Sequence, residues 1–130
     1  AEIQRGYARG EWNMALQDLE VEVRLIIRDK RAGKYSAAFG RGIADLCKGV
    51  EETGSLNRAC KNMGMAYSKA WRILRNTEES LGITLLERKG AHGSVLTDDA
   101  KILLEAFQRT EKMLKEESQV ILDSVLSERS

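Results

Sequence analysis

Ser68, Lys69, Arg72, Arg75 and Asn76 fall in one run of helical spacing, and their side chains share a chemistry. Arg can bond the edge of guanine with two N–H groups, Asn can do the same for adenine, and Ser and Lys reach base edges or phosphate. The run is predicted as a helix from Tyr67 to Leu81, with Ala70, Trp71, Leu74 and Leu81 facing inward and Gly82 as its stop. The polar set, with Tyr67 at its start, is left on the outer face. A solvated basic helix would look the same, so the meaning of this face depends on what surrounds it.

On the amino side, Leu56, Ala59, Cys60 and Met63 follow the i, i+3, i+4, i+7 pattern of a buried helical face. Ser55 is its predicted N-cap, Gly64 its left-handed stop, and Met65 a plug beneath the turn. The turn is short enough for a helix-turn-helix. On the carboxyl side, Leu85 to Lys89 and Ser94 to Thr97 flank Gly90-Ala91-His92-Gly93, which reads as a β-hairpin. Arg88, Lys89, His92 and Ser94 would then line a wing touching sugar-phosphate or the minor groove, with Arg58 of the preceding helix in support. Between Gly54 and Ser94 seven Lys and Arg face three Asp and Glu, a net +4, whereas residues 95–130 carry a net −3. The whole-chain charge of +1 conceals a basic centre. Duplex DNA is the partner this arrangement fits.

Four segments resemble a known family: Phe39-Gly40-Arg41-Gly42, Glu52-Thr53-Gly54-Ser55-Leu56, Gly64-Met65-Ala66-Tyr67-Ser68-Lys69-Ala70-Trp71, and Leu85-Leu86-Glu87-Arg88 followed by Val95-Leu96-Thr97. They are similar to the N-terminal winged-helix domain of the ModE (molybdate-responsive) regulators over about Leu19 to Leu104, and more distantly to the LysR-type regulators. The resemblance implies a dimeric transcriptional regulator with its second helix in the major groove. Ser68, Lys69 and Arg72 would make contacts there, and Trp71 would have a core role. Ala66 stands where the family leads one to expect a serine cap, whose loss typically costs about 1 kcal/mol. Full-length family members carry further C-terminal domains that bind molybdate, but only about 30 residues follow the wing here. The oxyanion sensor is therefore expected to be missing.

Nothing in the sequence points to catalysis. There is no Walker loop, nucleophile elbow or His-Glu-x-x-His, and Glu51-Glu52, Glu78-Glu79 and Asp98-Asp99 read as solvated faces or helix-dipole partners. Cys47 and Cys60 lie on apolar helical faces without metal or redox spacing, so two buried reduced thiols are expected. A lone histidine, His92, cannot furnish a typical metal site. No metal, no cofactor and no membrane partner are expected. No apolar run approaches a membrane span and the amino end lacks a signal-peptide core, which fits a cytoplasmic location.

The predicted fold is mainly α (α+β): a winged helix-turn-helix with a small antiparallel sheet and a long C-terminal dimerisation helix. Residues 1–18 would form a mobile or short helical N-terminal segment with a helix near Trp12 to Gln17, 19–97 the DNA-binding domain, and 98–130 the dimerisation helix. Leu19 to Leu25 alternates apolar and polar residues and continues through Ile26-Ile27, as in a strand with one buried face, for which the wing hairpin is the expected partner. Ile43 to Thr53 is the first scaffold helix. After Thr97 and the acids Asp98 and Asp99, which suit a helix start, no Gly or Pro interrupts the chain. The stripe of Leu103, Phe107, Met113, Leu114, Val120, Ile121 and Val125 is the expected dimer interface, parallel or antiparallel. Packing of this helix on its own N-terminal strand is the monomeric alternative.

The function read from these residues is sequence-specific binding of double-stranded DNA, at an inverted repeat, by a homodimeric transcriptional regulator. An oxyanion-responsive sensor and a winged-helix protein-interaction module are the competing readings. The operator, the sign of regulation and any small-molecule effector are not encoded in a legible way.

Overall fold

The computed structural model describes residues 16–33, 36–91 and 93–129. Helix α1 (Arg41–Thr53) buries Ile43, Ala44, Leu46, Cys47 and Val50, a stripe that repeats with the turn of the helix. Helix α2 (Leu56–Met63) buries Leu56, Ala59 and Cys60. Its fourth predicted inward residue, Met63, is 36% exposed, because Gly64 turns the chain away and Met65 packs on the core instead. Ser55 caps α2 as expected, its hydroxyl oxygen accepting the Arg58 N–H at 3.2 Å. Helix α3 (Tyr67–Leu81) buries Ala70, Leu74 and Thr77 and has no side-chain cap at Ala66.

Two glycines decide how these helices meet. Gly64 adopts φ 67°, and its N–H bonds back to the last turn of α2, so the chain reverses within the space a helix-turn-helix allows. Gly49 lies where α1 crosses α2, and a Cβ there would stand 2.6 Å from Cβ of Ala59. Only a residue without a side chain permits that approach.

The wing consists of strands β1 (Leu86–Lys89) and β2 (Gly93–Leu96), antiparallel, with Leu86 opposite Leu96 and Arg88 opposite Ser94. Alternation puts Leu86 and Leu96 in the core. The expected third strand does not form. Residues 21–30 do alternate between partly buried and exposed, yet among the described residues their backbone makes an isolated antiparallel bridge, Ile27 to Phe39, and no ladder with the wing. The alternation reports a buried face but does not say which edge will supply hydrogen bonds.

Helix α4 (Asp98–Arg129) starts at Thr97, whose hydroxyl donates to the Thr84 carbonyl at 2.6 Å and accepts from the Ala100 N–H at 3.1 Å. Asp98 and Asp99 occupy its first turn, where their charge complements the helix dipole. Ala100, Leu104 and Phe107 close the core, and the rings of Phe107 and Phe39 meet edge to face at 5.8 Å. Phe107, 1% exposed, is thus an interior residue of this chain, which corrects its expected place in a dimer interface, while Leu103 is half-buried against the core. A periodic apolar stripe cannot tell the residue's own core from a partner.

The described residues divide into one compact unit within 24–110 and a second made of 16–23 with 111–129. In the second unit the Gln119 side chain accepts the Val21 N–H at 2.8 Å and donates to the Leu19 carbonyl at 3.4 Å, so the extended segment lies on the far half of α4. The segment expected to join the wing domain at Leu19 is divided instead between the two units. Trp12 and most of the short helix predicted near it fall outside the described residues.

Candidate nucleic-acid interface

The outward side of α3 divides into three parts. Ser68, Lys69 and Arg72 are exposed on its first two turns, directly opposite the buried line of Ala70, Leu74 and Thr77. Lys69 and Arg72 make no ion pair or ring contact among the described residues. Arg75 lies on the wing side, with its guanidinium 5.1 Å from the Trp71 ring centroid and Nη1 3.9 Å from Glu78 Oε1. Asn76 lies on the opposite flank, lining a shallow apolar groove of about 290 Å³ with Ala37, Ala38, Gly40, Gly42, Ile43, Ile73 and Thr77. Five residues expected to act together thus present one free cationic patch and two flanking groups.

The wing side is held by contacts the sequence did not reveal. Glu78, read as a solvated acid, points inward: Oε2 accepts the Leu85 N–H at 2.7 Å and fixes the start of the hairpin to α3. Trp71, expected in the core, is only half buried and sits between the helix and the wing. Tyr67 meets it edge to face at 6.2 Å, and the guanidinium of Arg88 approaches its ring to 5.8 Å. The 67, 71, 75 spacing was visible as an i, i+4 row, but its fourth member comes from β1 and no local pattern announces it.

Between α2, the start of α3 and the wing lies an open concavity of about 380 Å³, lined by Ser55, Leu56, Asn57, Tyr67, Arg88, Ala91, Gly93 and Ser94. Ser94 was expected to project from the wing. It is instead buried, its N–H donating to the Gly54 carbonyl at 2.9 Å, so it ties β2 to the end of α1. Arg88 and Lys89 on β1 and Arg58 on α2 are exposed. His92 lies outside the described residues.

The interior around the site is chemically quiet. Burial, with Glu51 and Glu78 adding their charge, pushes the Cys47 thiol up to about 12, and burial also raises Cys60. Neither forms a disulfide. Among the described residues no group of three or more His, Cys, Asp or Glu could hold a metal ion, and no helix is long and apolar enough to cross a membrane.

Residues 46–101, which run from within α1 through α2, α3 and the wing to the first turn of α4, match the family described as bacterial regulatory helix-turn-helix protein, lysR family. The chain is 36% identical over 67 residues to the HTH-type transcriptional regulator CrgA of Neisseria meningitidis, covering 52% of this chain and 21% of that protein. It is also 36% identical over 93 residues to the transcriptional regulator ModE of Haemophilus influenzae, covering 63% of this chain and 36% of the relative. The chain therefore spans well under half the length of the curated relatives it matches. Among solved structures, the crystal structure of a CbnR_DBD–DNA complex is similar with a TM-score of 0.53 and 23% identity, over 63% of this chain and 93% of that one. That likeness establishes the winged-helix fold. The proteins it is similar to are transcriptional regulators and not enzymes, and the similarity falls on the helix-turn-helix and wing.

Proposed function

We propose that this chain binds double-stranded DNA in a sequence-specific manner as a homodimeric, cytoplasmic transcriptional regulator of the ModE-like kind. Helix α3 enters the major groove with Ser68, Lys69 and Arg72 toward base edges, while Arg88, Lys89 and His92 of the wing meet backbone or minor groove. The observation that carries this reading is the free cationic patch of Lys69 and Arg72 on the exposed turns of a helix whose opposite face, Ala70, Leu74 and Thr77, is buried and whose Glu78 accepts the Leu85 N–H. A packed helix with unengaged outward donors is what direct readout requires. The ModE-like affiliation is supported by the Gly64 to Trp71 motif and by the identity to the Haemophilus relative, whose coverage is partial.

Dimerisation is supported by the far half of α4. Met113 is 66% exposed, Val120 57% and Ile121 60%, with Leu114 and Val125 beside them. Such a length of apolar helix left in water favours a partner, and a second copy places two recognition helices on an inverted repeat with half-sites about 34–36 Å apart or a multiple of that.

Selection of bound duplexes from a random pool, followed by affinity measurements over a range of salt, tests the reading. An enriched palindromic site with log-linear salt dependence is expected. Binding with no enriched sequence would leave only a basic surface, and binding to an acidic protein with no binding to any duplex would support the protein-interaction alternative.

A further inference from the structure

Trp71 is an expensive way to fill space at the seam between α3 and the wing. Among the described residues its indole Nε1–H is buried without a hydrogen-bond partner, whereas a buried indole ordinarily reaches an acceptor. A leucine would occupy the seam with no orphaned donor. What leucine lacks is a π face, and that face draws two cations from different elements: Arg75 of α3 at 5.1 Å and Arg88 of β1 at 5.8 Å from the ring centroid. Tyr67 buttresses the ring edge to face. The neighbouring acid is Glu78, one of whose oxygens is already committed to the Leu85 N–H. Glu78 pairs with Arg75 and not with Arg88 among the described residues, so two guanidiniums beside one carboxylate leave the seam positive, and it borders the open concavity that Arg88 and Tyr67 line.

We propose that Trp71 is a positioning residue that gathers Arg75 and Arg88 into a two-guanidinium seat for the phosphodiester backbone. This rests on the DNA-binding reading above and refines it. Arg75 becomes a backbone holder instead of a reader of bases, and the ring joins the Leu85 N–H to Glu78 hydrogen bond in setting the wing against the recognition helix. Guanidinium suits this task, since it is weakly hydrated, stacks on an aromatic face and still offers N–H groups at its edge to phosphate oxygens.

The test uses the full chain with Trp71→Leu, Trp71→Phe and Arg88→Ala, alone and combined. Affinity is measured for a selected and an unrelated duplex, and amide exchange of residues 86–96 is followed without DNA. Trp71→Leu is expected to weaken both duplexes alike, by about tenfold, and to speed exchange in the wing while leaving α1 protected; Trp71→Phe, which keeps a π face, should recover most of the loss. Adding Arg88→Ala to Trp71→Leu should cost little more, because the arginine has already lost its support. Fully additive losses, or undiminished binding by Trp71→Leu, overturn the proposal. Should the unaltered chain bind no duplex, the DNA-binding reading fails, while unchanged wing exchange in Trp71→Leu independently overturns the clasp. If Trp71→Leu does not fold, Arg88→Ala in a Trp12→Phe background decides: Trp71 emission in the absence of DNA must change, and an unchanged spectrum contradicts the contact.

Discussion

Lys69 and Arg72 differ from the other cations of the interface in what surrounds them. Arg75 and Arg88 rest on Trp71, whereas Lys69 and Arg72 extend from an exposed helical face with no such neighbour among the described residues. Arg72→Ala should therefore remove a base contact outright, weakening the selected site by about 1–3 kcal/mol and relaxing preference at one position. Lys89→Ala, on the wing, should lower affinity for all duplexes and reduce the salt slope by about one unit. Both effects are read from titrations at several salt concentrations. The thiols give a prediction with a pH sign. Cys47 would ionise near its ordinary 9.0 when unfolded but is held to about 12 when folded. Its contribution to stability is complete below pH 9 and is lost as pH rises from 9 toward 12. Denaturant melts of the unaltered chain should fall more steeply with pH in that window than those of Cys47→Ala, and thiol reagents at pH 8 should label neither cysteine until the chain unfolds.

At the scale of elements, the helices and the wing were legible because each is announced locally. The stripe of α1, the Ser55 cap, Gly64 and the Gly-bounded hairpin are all set by neighbours a few residues apart. What was not legible depended on remote chain. The alternation from residue 21 onward was correct, but its backbone finds Phe39 and Gln119 instead of the wing. Glu78 and Trp71 acquire their roles only when β1 arrives beside α3. The contact of α1 with α2 belongs to the same class, since nothing local marks Gly49 as the point of closest approach. Gly49→Ala should force the two helices apart and destabilise the domain by about 1–3 kcal/mol, measured by thermal or denaturant melting, even though alanine is the better helix former. A melting temperature equal to or above that of the unaltered chain would mean that the helices can shift without cost.

At the scale of the molecule, the candidate interface was half legible. Its basic centre and the outer face of α3 were read from composition and spacing, but the division of that face into the unpaired Lys69 and Arg72, the ring-bound Arg75 and the groove-lining Asn76 needed the folded chain. The stripe proposed for a dimer loses Phe107 to the core, while Leu103 is half-buried and Met113, Leu114, Val120, Ile121 and Val125 are exposed. Charged substitutions at Leu114 and Ile121 should give monomers by light scattering with the winged domain intact, and should weaken binding to an inverted repeat far more than to a single half-site, because one half then no longer raises the effective concentration of the other. The reading of duplex DNA by α3 is tested most directly by the ratio of affinities for the selected and a scrambled duplex, compared between the unaltered chain and Lys69→Ala/Arg72→Ala. The ratio should be large for the first and collapse toward one for the second, with both proteins equally folded by circular dichroism. A folded double variant that keeps the full ratio would contradict the assignment of α3 as the recognition helix.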